Sequence, residues 1–108
     1  MPLTRRFNDL LKSRVQEDPA FRQALFQEAA RTMLDGDVAT AKSVLRDYIN
    51  ATIGFERLAL ATQTPAKSLM RMFGQRGNPT AQNLLGVLSV LQKQTGVHLE
   101  VAAVGDAA

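Results

Sequence analysis

The sequence predicts an all-α protein, and three features predict it. Apolar residues recur at helical spacings of three and four over most of the chain. Good N-cap residues (Asp18, Asp37, Thr80) stand directly ahead of those periodic runs, and glycines (Gly36, Gly54, Gly96) stand just past them. The 108 residues suit one domain, and a hydrophobic content of 45% is enough for a core. With five Phe, one Tyr and no Trp, that core is built from Leu, Val, Ala and Met.

The elements follow in order. Thr4 is the expected cap of a first helix, with Phe7, Leu10, Leu11 and Val15 near one face; the helix stops before Asp18-Pro19. Asp18 then caps a second helix, and Pro19 takes its first position, where a missing N–H costs nothing. Phe21, Leu25, Ala29 and Met33 recur every four residues there, with Phe26, Ala30 and Leu34 widening the stripe. Gly36 ends this helix and Asp37 caps the third, whose stripe is Val38, Ala41, Leu45, Tyr48 and Ile49. Gly54 breaks the third helix, and a short fourth runs from Phe55 to Ala61. Thr62, Gln63 and Thr64 form a turn. Thr64 caps a short fifth helix that has Pro65 at its first position and ends near Phe73. Gly74 to Pro79 read as a loop by their Gly and Pro content. Thr80 caps a sixth helix carrying Ala81, Leu84, Leu85, Leu88 and Leu91, ended by Gly96. Val97 to Val101 alternate apolar and polar, which predicts one short strand. Such a strand either pairs with its copy across a dimer axis or is an extended tail packing on the body. Gly105 to Ala108 are expected to fray.

Composition excludes several classes of chemistry. There is no cysteine, hence no disulfide, no Cys-ligated zinc and no thiol catalysis. The N-terminus lacks the apolar stretch of a signal peptide, and no run of about 18 apolar residues suggests a membrane span. A cytoplasmic protein is therefore expected. His98 is the single histidine and reads as structural, because a metal site needs several ligands. Ser68 has neither a nearby histidine nor a Gly-rich elbow, so nucleophilic catalysis is not expected there. Glu17-Asp18 and Asp35/Asp37 read as helix-boundary caps rather than an acid/base pair. No enzyme activity, cofactor or metal is expected.

Charge is distributed unevenly. Net charge is +3, and the sequence pI of about 9.8 falls in the range of nucleic-acid binders. Between Glu56 and Glu100 there is no acidic residue, while Arg57, Lys67, Arg71, Arg76 and Lys93 all lie there. Most of the acids fall in the first half. Two short helices joined by a three-residue turn and flanked by longer ones are the layout of a helix-turn-helix, whose second helix enters the major groove of DNA. On that second helix Ala66, Lys67, Ser68, Met70 and Arg71 are expected to face outward, and Leu69, Met72 and Phe73 inward. Arg and Lys can donate to the O6 and N7 acceptors of guanine, and Ala66 can touch a thymine methyl. Backbone N–H groups near Thr64 are expected to face a phosphate at the helix start.

Specific residues carry a resemblance. Gly54-Phe55-Glu56-Arg57-Leu58-Ala59, then Lys67-Ser68-Leu69-Met70-Arg71-Met72 and Arg76-Gly77-Asn78-Pro79, resemble the phage-repressor type of helix-turn-helix (XRE, or lambda-repressor-like). The likeness covers about Val38 to Leu91. Leu58-Ala59 match that family's packing pair, and Leu69 and Met72 its apolar positions on the recognition helix. By this resemblance Ala66, Lys67 and Arg71 are base-reading positions, and Arg76 and Asn78 lie in a phosphate-facing loop. Two residues depart from the pattern. Phe55 stands where the family often has a phosphate-touching Gln. Gln63 stands where it usually has Gly, so Gln63 is expected in a left-handed conformation.

A narrower resemblance is to antitoxins of bacterial addiction modules and related small regulators, carried by Asp47 to Phe55 and Lys67 to Met72. It implies double-stranded DNA as partner, a homodimer, repression of the protein's own operon and a cognate toxin protein. The organisation expected is an N-terminal helical extension over residues 1–36, a helix-turn-helix domain over 37–96, and a strand or tail over 97–108. The extension is either extra core or a surface for a partner, the second subunit or a toxin; alternatively its basic first helix (Arg5, Arg6, Lys12, Arg14) adds phosphate contacts. Two other readings stay open: a stand-alone regulator without a toxin, and a helical protein-interaction module with no DNA activity.

Overall fold

A computed structural model describes the chain over residues 2–106, and the side chains from Arg6 onward. Among the described residues the protein is all-α, with six helices: α1 (Pro2–Glu17), α2 (Pro19–Leu34), α3 (Val38–Ala51), α4 (Gly54–Thr62), α5 (Ala66–Met72) and α6 (Ala81–Thr95). Helix α1 is already helical at Pro2, two residues ahead of the expected cap at Thr4; proline suits that first turn, since its missing N–H has no helical partner to lose.

The predicted caps explain most of the other boundaries. The Asp18 carboxylate accepts from the Phe21 backbone N–H at 3.1 Å, Asp37 from Thr40 at 3.2 Å, and the Thr80 hydroxyl from Asn83 at 3.1 Å. Gly36 closes α2 at φ +85, and the Asp37 N–H behind it donates to the Thr32 carbonyl at 2.9 Å. Gly96 closes α6 at φ +75. These two residues supply a left-handed geometry that a side chain would disfavour.

One core cluster joins helices α2 to α6. Phe26 of α2 stacks flat on Tyr48 of α3, ring centroids 4.5 Å apart. Phe55 of α4 meets Phe73, just past α5, at 6.3 Å with tilted rings. Leu45, Ile49, Leu58, Leu69, Val87, Leu88 and Leu91 fill the space between, and Val15 buries the end of α1. Each fully buried side chain of this size contributes about 1.5–3 kcal/mol of apolar transfer. Tyr48 behaves as expected of a core tyrosine: its ring is buried, and its hydroxyl donates to Thr95 Oγ1 at 3.0 Å.

Several members of the expected stripes are outside the core. Phe7 and Leu10 of α1 are 61% and 64% exposed, and Leu34, Val38 and Leu85 also face solvent. A stripe one residue wider than the partner surface leaves its margin uncovered. In α6 that surface selects Val87 beside Leu88 and Leu91, turning Leu85 outward. In α3 the stripe has an unexpected member, Lys42, which is buried.

The predicted strand over 97–101 does not form, and there is no strand among the described residues. This segment is an extended tail. Val97 and Leu99 pack on the core, while His98 and Glu100 face solvent, which accounts for the alternation. The Leu99 N–H donates to Gln92 Oε1 at 2.9 Å, so a side chain takes the amide that a second strand would have paired. Gly105 and Asp106 are exposed without regular structure; Ala107 and Ala108, also expected to fray, lie outside the described residues.

Candidate nucleic-acid interface

Helices α4 and α5 are joined by three residues, Gln63, Thr64 and Pro65. The junction lies one residue later than the sequence suggests. Gln63 ends α4 in the left-handed region, at φ 56 and ψ 38, as the missing glycine predicts. Both the Gln63 and the Thr64 N–H groups donate to the Ala59 carbonyl. Thr64 does not cap α5. Its hydroxyl donates to the Thr62 carbonyl at 3.3 Å, and Pro65 takes the cap position, its carbonyl accepting from Ser68 and Leu69. Pro65 at ψ 140 is still extended, so the helix begins at Ala66.

Burial along α5 follows its 3.6-residue period. Leu69 and Phe73 are buried and Met72 is half-buried, whereas Lys67, Ser68, Met70 and Arg71 are exposed. Ala66, expected to face outward, is half-buried. It stands three and seven residues ahead of Leu69 and Phe73 and so shares their face. Phe55 is buried, so its ring is a core group that offers nothing to a phosphate.

An open groove of about 390 Å³ runs between the exposed side of α5, the 74–79 loop and the start of α6. Five of the seven residues singled out from the sequence line it: Thr64, Ser68, Arg71, Arg76 and Asn78. Lys67 and Ala66 are outside it. Asn83 of α6 lines the groove as well and went unnoticed in the sequence, where nothing distinguishes it from a solvated helix residue. The groove thus offers two guanidinium groups with hydroxyl and amide donors around them. Arg71 is on a helix and Arg76 on a loop, so their spacing depends on how that loop is held.

Two features hold it, and the sequence marks neither as a positioning residue. Gly77 packs against the end of α5. A Cβ built on it would lie 2.3 Å from the Arg71 and Met72 carbonyl oxygens. The Lys42 ammonium also donates to the carbonyls of Gly74 (3.0 Å), Gln75 (3.4 Å) and Gly77 (2.6 Å). The available signal was Lys42 itself, a charged residue one position after Ala41 and three before Leu45 on an otherwise apolar face. The Gly77 signal was weaker, since a loop glycine reads as turn chemistry rather than as close approach.

Among the described residues no group of three or more His, Asp and Glu is placed to hold a metal ion. No helix among them is long and apolar enough to cross a membrane. No family model, curated protein or solved structure matches the chain.

Proposed function

We propose that this protein binds double-stranded DNA sequence-specifically, using α4, the turn and α5 as a helix-turn-helix, and acts as a transcriptional regulator. The observation that carries the reading is the groove that brings Arg71, Arg76, Ser68 and Asn78 together beside the exposed face of a short helix. The chain around it is free of acids from Arg57 to Leu99. Guanidinium and amide donors on a surface without competing carboxylates suit phosphate oxygens and guanine edges. Arg71 and Lys67 are assigned to base edges, Arg76 and Asn78 to phosphates. Thr64 and Ser68 border the phosphate side, and Ala66 is the weakest of the seven because it is half-buried.

One such helix reads only a few base pairs, so the active form is proposed to be a homodimer on two half-sites. Within this reading the protein is an antitoxin that represses its own operon and binds a cognate toxin; a stand-alone regulator is the alternative. Selection from random duplex DNA tests DNA binding and operator symmetry together. The expected result is a palindromic site, bound more weakly as salt rises. A second reading, a helical protein-interaction module without DNA activity, is favoured by the exposed Phe7 and Leu10 on α1. Failure to bind duplex DNA at low ionic strength would leave only that second reading.

A further inference from the structure

Lys42 grips the loop that carries Arg76 and Asn78. An ammonium has three donors and no acceptor, and three loop carbonyls converge on this one, from residues 32 to 35 positions away in sequence. Two of the carbonyls belong to Gln75 and Gly77, the immediate neighbours of Arg76. Backbone held on both sides of a residue fixes where its side chain starts. Gly77, wedged against the last turn of α5, blocks movement of the same segment towards the helix. Lys42 itself is only 9% exposed, so its ammonium is occupied by the loop rather than presented to a ligand.

We infer that Lys42 is a positioning residue for phosphate binding. It holds residues 74–77 in one conformation, so that Arg76 and Asn78 meet the DNA backbone in register with Arg71 on α5. This rests on the DNA-binding reading above. A loop already ordered in the free protein avoids the entropy of ordering on association. Loss of the Lys42 grip therefore weakens binding by releasing the phosphate contact of Arg76, although Lys42 itself touches no DNA.

The test is a double-mutant cycle on the full chain with Lys42→Met, Arg76→Ala and the combined variant. Affinity for mixed-sequence duplex DNA is measured by fluorescence anisotropy over a range of salt concentrations. Amide hydrogen exchange of residues 74–77 is followed in parallel. Lys42→Met is expected to weaken binding about five- to tenfold, as Arg76→Ala does, and to lower the salt slope by about 0.9, the value of one phosphate contact. The combined variant is expected within about twofold of the weaker single one, because both act on one contact. Amides 74–77 exchange faster in Lys42→Met but not in Arg76→Ala. Wild-type affinity in Lys42→Met, or effects that multiply in the combined variant, would overturn the inference while leaving DNA binding intact. A wild-type chain with no salt-sensitive binding sinks the DNA reading and this inference together. If Lys42→Met loses its helical circular dichroism, Lys42→Gln, whose shorter amide has too few donors for three carbonyls, is read the same way. Loss of fold in both variants makes Lys42 a core residue and overturns the positioning role.

Discussion

Replacing Gly77 by Ala adds one methyl group, yet the structure makes it a severe change. The new Cβ would stand 2.3 Å from two carbonyl oxygens of α5 and 2.7 Å from the Met72 carbonyl carbon. Real Cβ contacts essentially never fall under 3.0 Å, so the backbone must retreat by at least about 0.7 Å. All three obstructing atoms are main chain, so no rotamer change relieves the overlap. Retreat also displaces the Gly77 carbonyl, which accepts the 2.6 Å hydrogen bond from Lys42. Overpacking of this kind costs about 1–3 kcal/mol, which for a domain of this size lowers the melting temperature by about 4–20 °C. The control is Gly86→Ala. Gly86 lies inside α6 with nothing within 4 Å of the built Cβ, and alanine there gains about 0.5–1 kcal/mol of helix propensity. Thermal unfolding followed by circular dichroism at 222 nm should thus move in opposite directions for the same chemical change. A Gly77→Ala protein that melts within a degree of wild type would refute the close approach of the loop to α5.

Gln63→Gly relieves a left-handed residue at the α4–α5 junction; set against the greater freedom of glycine in the unfolded chain, it should stabilise by about 0.5–1 kcal/mol in urea titration. Arg71→Ala should weaken specific binding by about 1–3 kcal/mol and relax one base preference, as read by repeating the selection with the variant. Acid should destabilise the fold: the Phe21 backbone N–H holds the Asp18 carboxyl below its ordinary range, and the Thr40 hydroxyl and N–H do the same for Asp37. A depressed carboxyl stabilises fully above its unfolded pKa and loses that contribution as pH falls through the folded one, whereas Asp47, raised by burial, works in the opposite sense. Replacing Asp18 and Asp37 together by Asn, which caps without titrating, should flatten the fall in urea midpoint between pH 5 and pH 2, a range estimated from ordinary carboxyl values.

The helix boundaries were legible because they depend on local chemistry. Asp18-Pro19, Gly36-Asp37 and Thr80 each act within one turn of chain, and each does in the structure what its residue type favours. Thr64 fails for a local reason too. Pro65 stays extended and moves the helix start one residue on, so the Thr64 hydroxyl is too early to cap it. Core membership is less legible, because periodicity gives the direction of a face but not the width of its cover. Leu85 and Val87 flank the Leu84, Leu88 and Leu91 stripe on opposite margins, and which margin is covered depends on where α4 lies against α6. The tail is a similar case. Alternation in 97–101 shows two unlike sides, and the structure shows which one packs: Val97 and Leu99 lie on the core, with the Leu99 amide held by the Gln92 side chain.

The groove divides along the same line. Arg71 and Ser68 could be placed on an exposed helical face from spacing alone, since Leu69 and Phe73 fix the opposite face. Arg76 and Asn78 could not, because a loop has no period, and their place beside Arg71 depends on contacts reaching back to α3. Lys42 is where that long-range information meets the sequence. A lysine on an apolar stripe conflicts with local rules, since burying an ammonium is costly unless its donors find partners. Here the partners are the three carbonyls of the loop. A conflict of this kind between residue type and helical face is therefore a guide to tertiary structure: where the lysine is buried instead of reaching water, acceptors come to that point from elsewhere in the chain. In this protein the segment that comes is the one between Arg71 and Asn78, so the residue that most violates the α3 pattern also holds the two sides of the groove in register.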